Sequence, residues 1–199
     1  MHPLSIDVFS DSIHANLNNP ASYGDLKLTT YSLGVHYKSN LMMSQDFKKY
    51  KAIAALDYLA VGIPASKFGF GFGLIPFTSV GYRLQGINDL LDTNILNRFE
   101  GSGGINRAFF SFGFRFAKYF SIGATINYGF GELIYQSSKI IAGVDLATML
   151  QDKSSVSGLN YQISSNLKLP ITKKIDFHLM YSLSPEKKIS ISSFTSKLS

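Results

Sequence analysis

The sequence predicts an all-β protein, a transmembrane antiparallel β-barrel of the outer-membrane type present in part, and three observations predict it. Several segments alternate residue by residue between apolar and small or polar side chains, the mark of a strand with two different faces. Charged residues make up only 16% of the 199-residue chain, against roughly 25% in soluble domains. Short and long connections alternate along the chain, as they do where periplasmic turns are short and extracellular loops long.

The first clean strand is Thr30 to Lys38, with Tyr31, Leu33, Val35 and Tyr37 opposite Ser32, Gly34, His36 and Lys38. Ile53 to Ile63 is strand-like but less regular, because Asp57 and Tyr58 interrupt an apolar run. Phe68, Phe70, Phe72 and Leu74 then alternate with Gly69, Gly71 and Gly73. Ala108, Phe110, Phe112, Phe114 and Phe116 oppose Arg107, Phe109, Ser111, Gly113 and Arg115. From Phe120 to Leu133 the alternation is nearly unbroken, with Phe120, Ile122, Ala124, Ile126, Tyr128 and Phe130 against Ser121, Gly123, Thr125, Asn127, Gly129 and Gly131. Tyr161, Ile163, Leu167 and Leu169 face away from Asn160, Gln162, Ser164, Asn166 and Lys168, and Ile175 to Leu183 forms a seventh strand. Ile189 to Phe194 begins an eighth, short and charged at its start.

Pro64 to Lys67, Ala117 to Tyr119 and Pro170 to Lys174 are expected as short turns; Met43 to Ala52, Gly81 to Ile105 and Ile134 to Val156 as long loops. Strands can cross hydrocarbon only in a closed sheet, since lipid offers no partner for backbone N–H and C=O groups. Bacterial single-chain barrels normally have an even strand number. The chain is therefore expected to be incomplete at its C-terminus. No charged segment followed by an apolar one precedes Asn19, so a signal peptide is expected to have been trimmed or to lie outside this chain. No run of about 18 apolar residues occurs, which excludes a transmembrane helix.

The net charge of +6 raises the question of nucleic acid. Lys48, Lys49 and Lys51 sit in one connection, Lys173 and Lys174 in another, and Lys187 and Lys188 in a third, without the single groove of cations and stacking aromatics that such binding needs. No nucleic-acid partner is expected. With no cysteine, disulfides, thiolate metal sites and cysteine nucleophiles are excluded together.

An enzyme is not expected, nor a metal or cofactor. His2, His14, His36 and His178 have no ligand spacing with one another or with carboxylates. Gly69-Phe70-Gly71-Phe72-Gly73 lacks the following helix of a phosphate loop, and strand glycines at a crowded lumen account for it. A Gly-x-Ser-x-Gly elbow is missing as well. His36, Lys38, Arg107, Arg115 and Lys168 fall on the polar faces and are the lumen-facing candidates. Leu90, Leu91, Ile95, Leu96 and Phe99 make the stretch before the Phe-rich strand more apolar than an ordinary loop. They form either an extracellular gateway for a greasy ligand or extended strands packing on one another.

The segment Asn19-Pro20-Ala21-Ser22-Tyr23 before the first strand, the stretch from Gly71 to Tyr82, and Gly101-Ser102-Gly103-Gly104 before the Phe-rich strand resemble FadL-like outer-membrane transport proteins. The resemblance implies a barrel of about fourteen strands, of which this chain would be the N-terminal half. It implies residues 1–25 as a hatch containing Asn19, Pro20 and Ala21, with 26–199 as barrel strands. It further implies passive uptake of hydrophobic small molecules such as long-chain fatty acids, with a plugged lumen, a lateral exit, and Arg107 or Arg115 pairing with a carboxylate. The expected partners are outer-membrane lipid, the hydrophobic molecule, and secretion or envelope proteins; the expected location is the bacterial outer membrane. The alternatives are a secretion-machinery docking or shuttle barrel, and a structural barrel without transport.

Overall fold

A computed structural model describes residues 16–43, 48–90, 93–141, 147–172, 175–185 and 190–198. A 3₁₀ turn, Pro20–Asp25, precedes eight strands: β1 Thr30–Met43, β2 Lys48–Ala65, β3 Phe68–Leu90, β4 Thr93–Ala117, β5 Phe120–Ile141, β6 Ala147–Thr172, β7 Ile175–Leu183 and β8 Ser190–Leu198. Neighbours in sequence are neighbours in one antiparallel sheet from β1 to β7, while β8 returns to pair with β6. β7 takes the Ile163–Thr172 stretch of β6 and β8 takes Met149–Ser157. β8 therefore continues the edge that β7 begins, and the expected eighth strand adds no further position to the sheet.

Of the expected connections, the two that are described are tight turns. β2 and β3 are joined by Ser66 and Lys67, with Ala65 paired to Phe68. Ser66 has φ 61°, as at the first central residue of a type II′ turn, where glycine is usual. Lys118 and Tyr119 join β4 to β5, and the Lys118 ammonium lies 5.2 Å from the Tyr119 ring centroid. The expected long loops are a correction. β3 runs on to Leu90, β4 begins at Thr93, β5 reaches Ile141 and β6 begins at Ala147. These extensions lose the apolar–polar alternation because ion pairs and hydroxyls join the strands there, and backbone pairing does not require a greasy face.

The irregularity in β2 is also explained. Gly34 pairs with Tyr58 and Val35 with Leu56, leaving Asp57 as the extra residue of a bulge. An aspartate interrupting an apolar run is thus a register shift, and it places the carboxylate beside His36.

The chain forms two compact units. The first comprises Met1–Ile75, Ala108–Asn127 and Asn160–Glu186. Its burial is inverted relative to a water-soluble core. Besides Tyr23, Leu26 and Phe109, the nearly inaccessible residues include many small or polar ones, such as Ser111, Ser121, Thr125 and Ser164, while Tyr31, Val35, Phe116 and Tyr181 stand exposed. On β5 the contrast is residue by residue: Thr125 is 2% exposed and its neighbour Ile126 is 55% exposed. The exposed face carries an aromatic cluster across β3 and β4, where Phe68 stacks on Phe114 at 4.7 Å between centroids and Phe70 meets Phe112 at 5.5 Å.

The second unit comprises Pro76–Arg107, Tyr128–Leu159 and Lys187–Ser199. Charged cross-strand pairs hold it: Arg83 to Glu100 at 2.8 Å and Lys153 to Glu132 at 2.7 Å. Asp152 accepts from the Thr195 hydroxyl at 2.6 Å. Gly103 has φ +119°, a left-handed value that glycine alone adopts freely. Gly101 lies beneath the Tyr82 ring, and Gly131 lies against the Gly104 carbonyl.

Candidate functional site

The N-terminal turn is the most enclosed part of the first unit. Asn19, Pro20, Ala21, Ser22, Tyr23 and Gly24 are all buried, and Tyr23 is 0% exposed. Proline at the first turn position fixes φ and has no N–H to satisfy. The Ser22 amide and hydroxyl donate to the Asn19 carbonyl at 3.1 and 2.6 Å, and the Leu26 amide closes the turn on the Tyr23 carbonyl at 3.3 Å.

Glycines make the seat. A Cβ on Gly69 would overlap the Tyr23 carbonyl, one on Gly71 the Tyr23 ring, one on Gly113 the backbone of Gly24, and one on Gly123 the backbone of Pro20 and Ala21. β2 also touches the turn, and β6 bonds to it. One six-residue turn thus meets five consecutive strands. At about 4.8 Å per strand a flat stretch would span roughly 19 Å, against about 12 Å for the turn at 3₁₀ rise. This part of the sheet must curl around the turn to reach it.

Hydrogen bonds fasten the turn chiefly to β6. Gln162 donates to the Asn18 carbonyl at 2.8 Å, the Ser164 hydroxyl to Asn19 Oδ1 at 3.1 Å, and Asn19 Nδ2 to Asn166 Oδ1 at 2.9 Å. The Ala21 amide donates to Ser164 Oγ at 2.9 Å. Gln162, Ser164 and Asn166 are alternate residues, so one face of one strand presents all three. Each such bond contributes about 1 kcal/mol net, and each would cost more if one partner were removed.

Two buried polar atoms of the seat have no hydrogen bond: the Tyr23 hydroxyl and Asn166 Nδ2. Burial pushes the Tyr23 phenol up to about 12, with neighbouring Ser111 pulling slightly the other way. The Ser111 hydroxyl also shares a 2.7 Å bond with Thr125 Oγ1.

The residues predicted from sequence are distributed widely. Asn19, Pro20 and Ala21 are in the seated turn. Arg115 reaches Asp25 of that turn at 3.9 Å. His36 Nδ1 lies 2.6 Å from the bulged Asp57. Lys38 and Lys168 are exposed, and the Lys168 backbone amide donates to the Tyr119 carbonyl at 2.8 Å. Arg107 belongs to the second unit and has a buried Nε without a partner. Of the gateway candidates, Leu91 and the side chains of Leu90 and Ile95 lie outside the described residues. Leu96 and Phe99 are both on β4, three positions apart, so period two puts them on opposite faces. Among the described residues no cluster of three or more acidic, histidine or cysteine side chains could hold a metal.

Fold and seat together define an all-β protein with an antiparallel sheet, whose first unit packs five strands against the chain's N-terminal turn. The chain matches the family model described as BamG over residues 4–198 and belongs to that family. No curated protein and no solved structure matches it.

Membership in BamG corrects the FadL-like assignment, and with it the uptake of fatty acids or other hydrophobic molecules through a lateral exit. The features that carried the resemblance have a local cause. Asn19-Pro20-Ala21 is a turn fastened to β6, and the glycine–aromatic alternation of β3 is its seat. Both would arise in any sheet that must close on a buried turn. Carboxylate capture by Arg107 or Arg115 loses its ligand along with the channel.

Proposed function

We propose that this protein is an outer-membrane component associated with the assembly of outer-membrane proteins, its sheet forming barrel wall and its N-terminal turn a fixed plug. The observation that carries the reading is the family match, which spans almost the whole chain and names a family related to the Bam complex. Inverted burial supports the location: exposed Tyr31, Leu33, Val35 and Phe116 suit acyl chains, and small buried residues suit a filled interior. The strand segments of the first unit, such as Ala108–Ala117 and Ile175–Leu183, match the roughly 9–11 residues that a tilted strand needs to cross a bilayer. No helix among the described residues is long and apolar enough to cross a membrane, so strands would make the crossing. A plug fastened by four hydrogen bonds and seated on bare backbone favours a wall or scaffold over a conduit.

The test is affinity purification of the tagged protein from detergent-extracted envelopes, together with depletion. Co-purification with barrel-assembly factors and a fall in several unrelated barrel proteins on depletion are expected. Normal barrel levels and no such factors would sink the assembly role. A chain that stays folded and monomeric in buffer without detergent would sink the membrane location.

A further inference from the structure

The short-turn end of the first unit gathers lysines beside exposed apolar side chains. Lys67 lies in the β2–β3 turn, and its carbonyl accepts the Arg115 amide at 2.8 Å, which sets the end of β4 against that turn. Lys118 lies in the β4–β5 turn, and the Lys168 amide bonds to the Tyr119 carbonyl of the same turn at 2.8 Å. Lys27 leads from the seated turn into β1, whose first residue, Thr30, pairs with Gly62 near the end of β2. All four lysines are exposed, and among the described residues none of them enters an ion pair. The acids of this end are Asp25, which meets Arg115 at 3.9 Å, and Asp176, opposite Pro170 on β7. Positive charge is in excess here, whereas in the second unit Lys153 and Arg83 are matched to Glu132 and Glu100.

Each of the four lysines is followed in sequence by an exposed apolar residue: Leu28, Phe68, Tyr119 and Leu169. An acidic soluble partner would need the charge alone. A cation beside a greasy side chain suits a ligand that is phosphate at one end and hydrocarbon at the other. The lysine stem then lies along apolar surface with its ammonium at headgroup level, where aromatic side chains also gather. We propose that this rim binds anionic glycerophospholipids of the leaflet facing the short turns. Lys67, Lys118 and Lys168 hold headgroup phosphates, while Phe68, Tyr119 and Leu169 touch the acyl chains. With strands about 4.8 Å apart, the β2–β3 and β4–β5 turns stand roughly 10 Å apart, which leaves each its own phosphate. A lysine at an anionic surface contributes about a fivefold preference. The proposal rests on the membrane reading above and adds which lipid the rim selects.

Titration of the protein in neutral detergent with phosphatidylglycerol or phosphatidylcholine of the same acyl chains tests it, the apparent Kd of each being read from the rise in Tm. Phosphatidylglycerol is expected to bind about fivefold tighter or more, with a preference that shrinks as salt is raised. Lys67→Gln, Lys118→Gln and Lys168→Gln combined should abolish the preference. The same charge removed by Lys38→Gln, Lys48→Gln and Lys197→Gln, at exposed positions outside the short turns, should leave it in place. Equal affinity for the two lipids, a preference indifferent to salt, or one lost equally or kept equally in both triple variants overturns the proposal. So does inorganic phosphate that protects as well as phosphatidylglycerol. The salt series on the unaltered protein decides the matter if the variants fail to fold. Uptake of neither lipid by a chain that stays folded without detergent overturns the membrane reading instead.

Discussion

Replacing Gly123 by alanine isolates the seating of the turn. The added Cβ would enter the space of the Pro20 carbonyl and the Ala21 amide. Both are backbone atoms of a buried turn and cannot swing aside as a side chain would. Overpacking of this kind costs typically 1–3 kcal/mol. If the turn relieves it by lifting off, Tyr23 loses full burial, itself worth about 1.5–3 kcal/mol, and the bonds from β6 to Asn19 and Ala21 stretch. Either route gives about 2 kcal/mol, or a fall of roughly 4–8 °C in Tm for a chain of this size. Gly86 is the internal control, because a Cβ there meets nothing within 4 Å; its alanine variant is expected to stay within about 0.5 kcal/mol of the parent. The assay is thermal unfolding in detergent combined with limited proteolysis, in which a lifted turn shows as faster cleavage N-terminal to Thr30. Equal Tm values for the Gly123→Ala and Gly86→Ala variants would falsify the claim that bare backbone seats the turn.

Further outcomes follow from other positions. Ser164→Ala removes both a donor to Asn19 and the acceptor of the Ala21 amide, and should cost about 1–3 kcal/mol, read by the same melts; Ser184→Ala, whose bond to Asn160 is long and exposed, should cost far less. Ser66→Gly should keep or raise stability and Ser66→Val should lower it by about 1–2 kcal/mol, since a left-handed residue is strained in proportion to its side chain. Leu33→Arg, on the exposed face, should lower stability in bilayers by about 2–4 kcal/mol if it sits at mid-depth, while Ser32→Arg on the other face should not. Tyr23 is held protonated in the folded state, from an ordinary 10.0 up to about 12. Its share of stability is therefore complete below pH 10 and lost as pH rises towards 12, which ultraviolet tyrosinate titration against unfolding reads directly.

Much of the sheet is legible in the sequence because a strand with unlike faces writes its period into the chain. Phe110, Phe112 and Phe116 against Ser111 and Gly113 need no tertiary information to be assigned faces. The strand extensions beyond Leu74 and Leu133 were not legible, since Arg83 with Glu100 and Lys153 with Glu132 join partners far apart in sequence and leave no periodic trace. Asp57 was visible as an interruption, but only the pairing register shows it to be a bulge beside His36. For the seat, Asn19, Pro20 and Ala21 stood out, whereas Gln162, Ser164 and Asn166 looked like any polar strand face. What binds them is a separation of more than 140 residues. The family assignment failed at the sequence level for a related reason: a turn packed on glycines leaves a similar trace whatever the sheet is for.

Those long-range bonds also order events in time. The receptacle for Pro20 to Gly24 includes Gly69, Gly113, Gly123, Ser164 and Asn166, so it does not exist until the sixth strand has joined its neighbours. Although synthesised early, this piece is expected to lock late, after the slow closure of long chain loops that limits β-sheet folding. Until then Tyr23 and its neighbours are expected to be open to proteases, which would make the turn a timer of how far the sheet has been built.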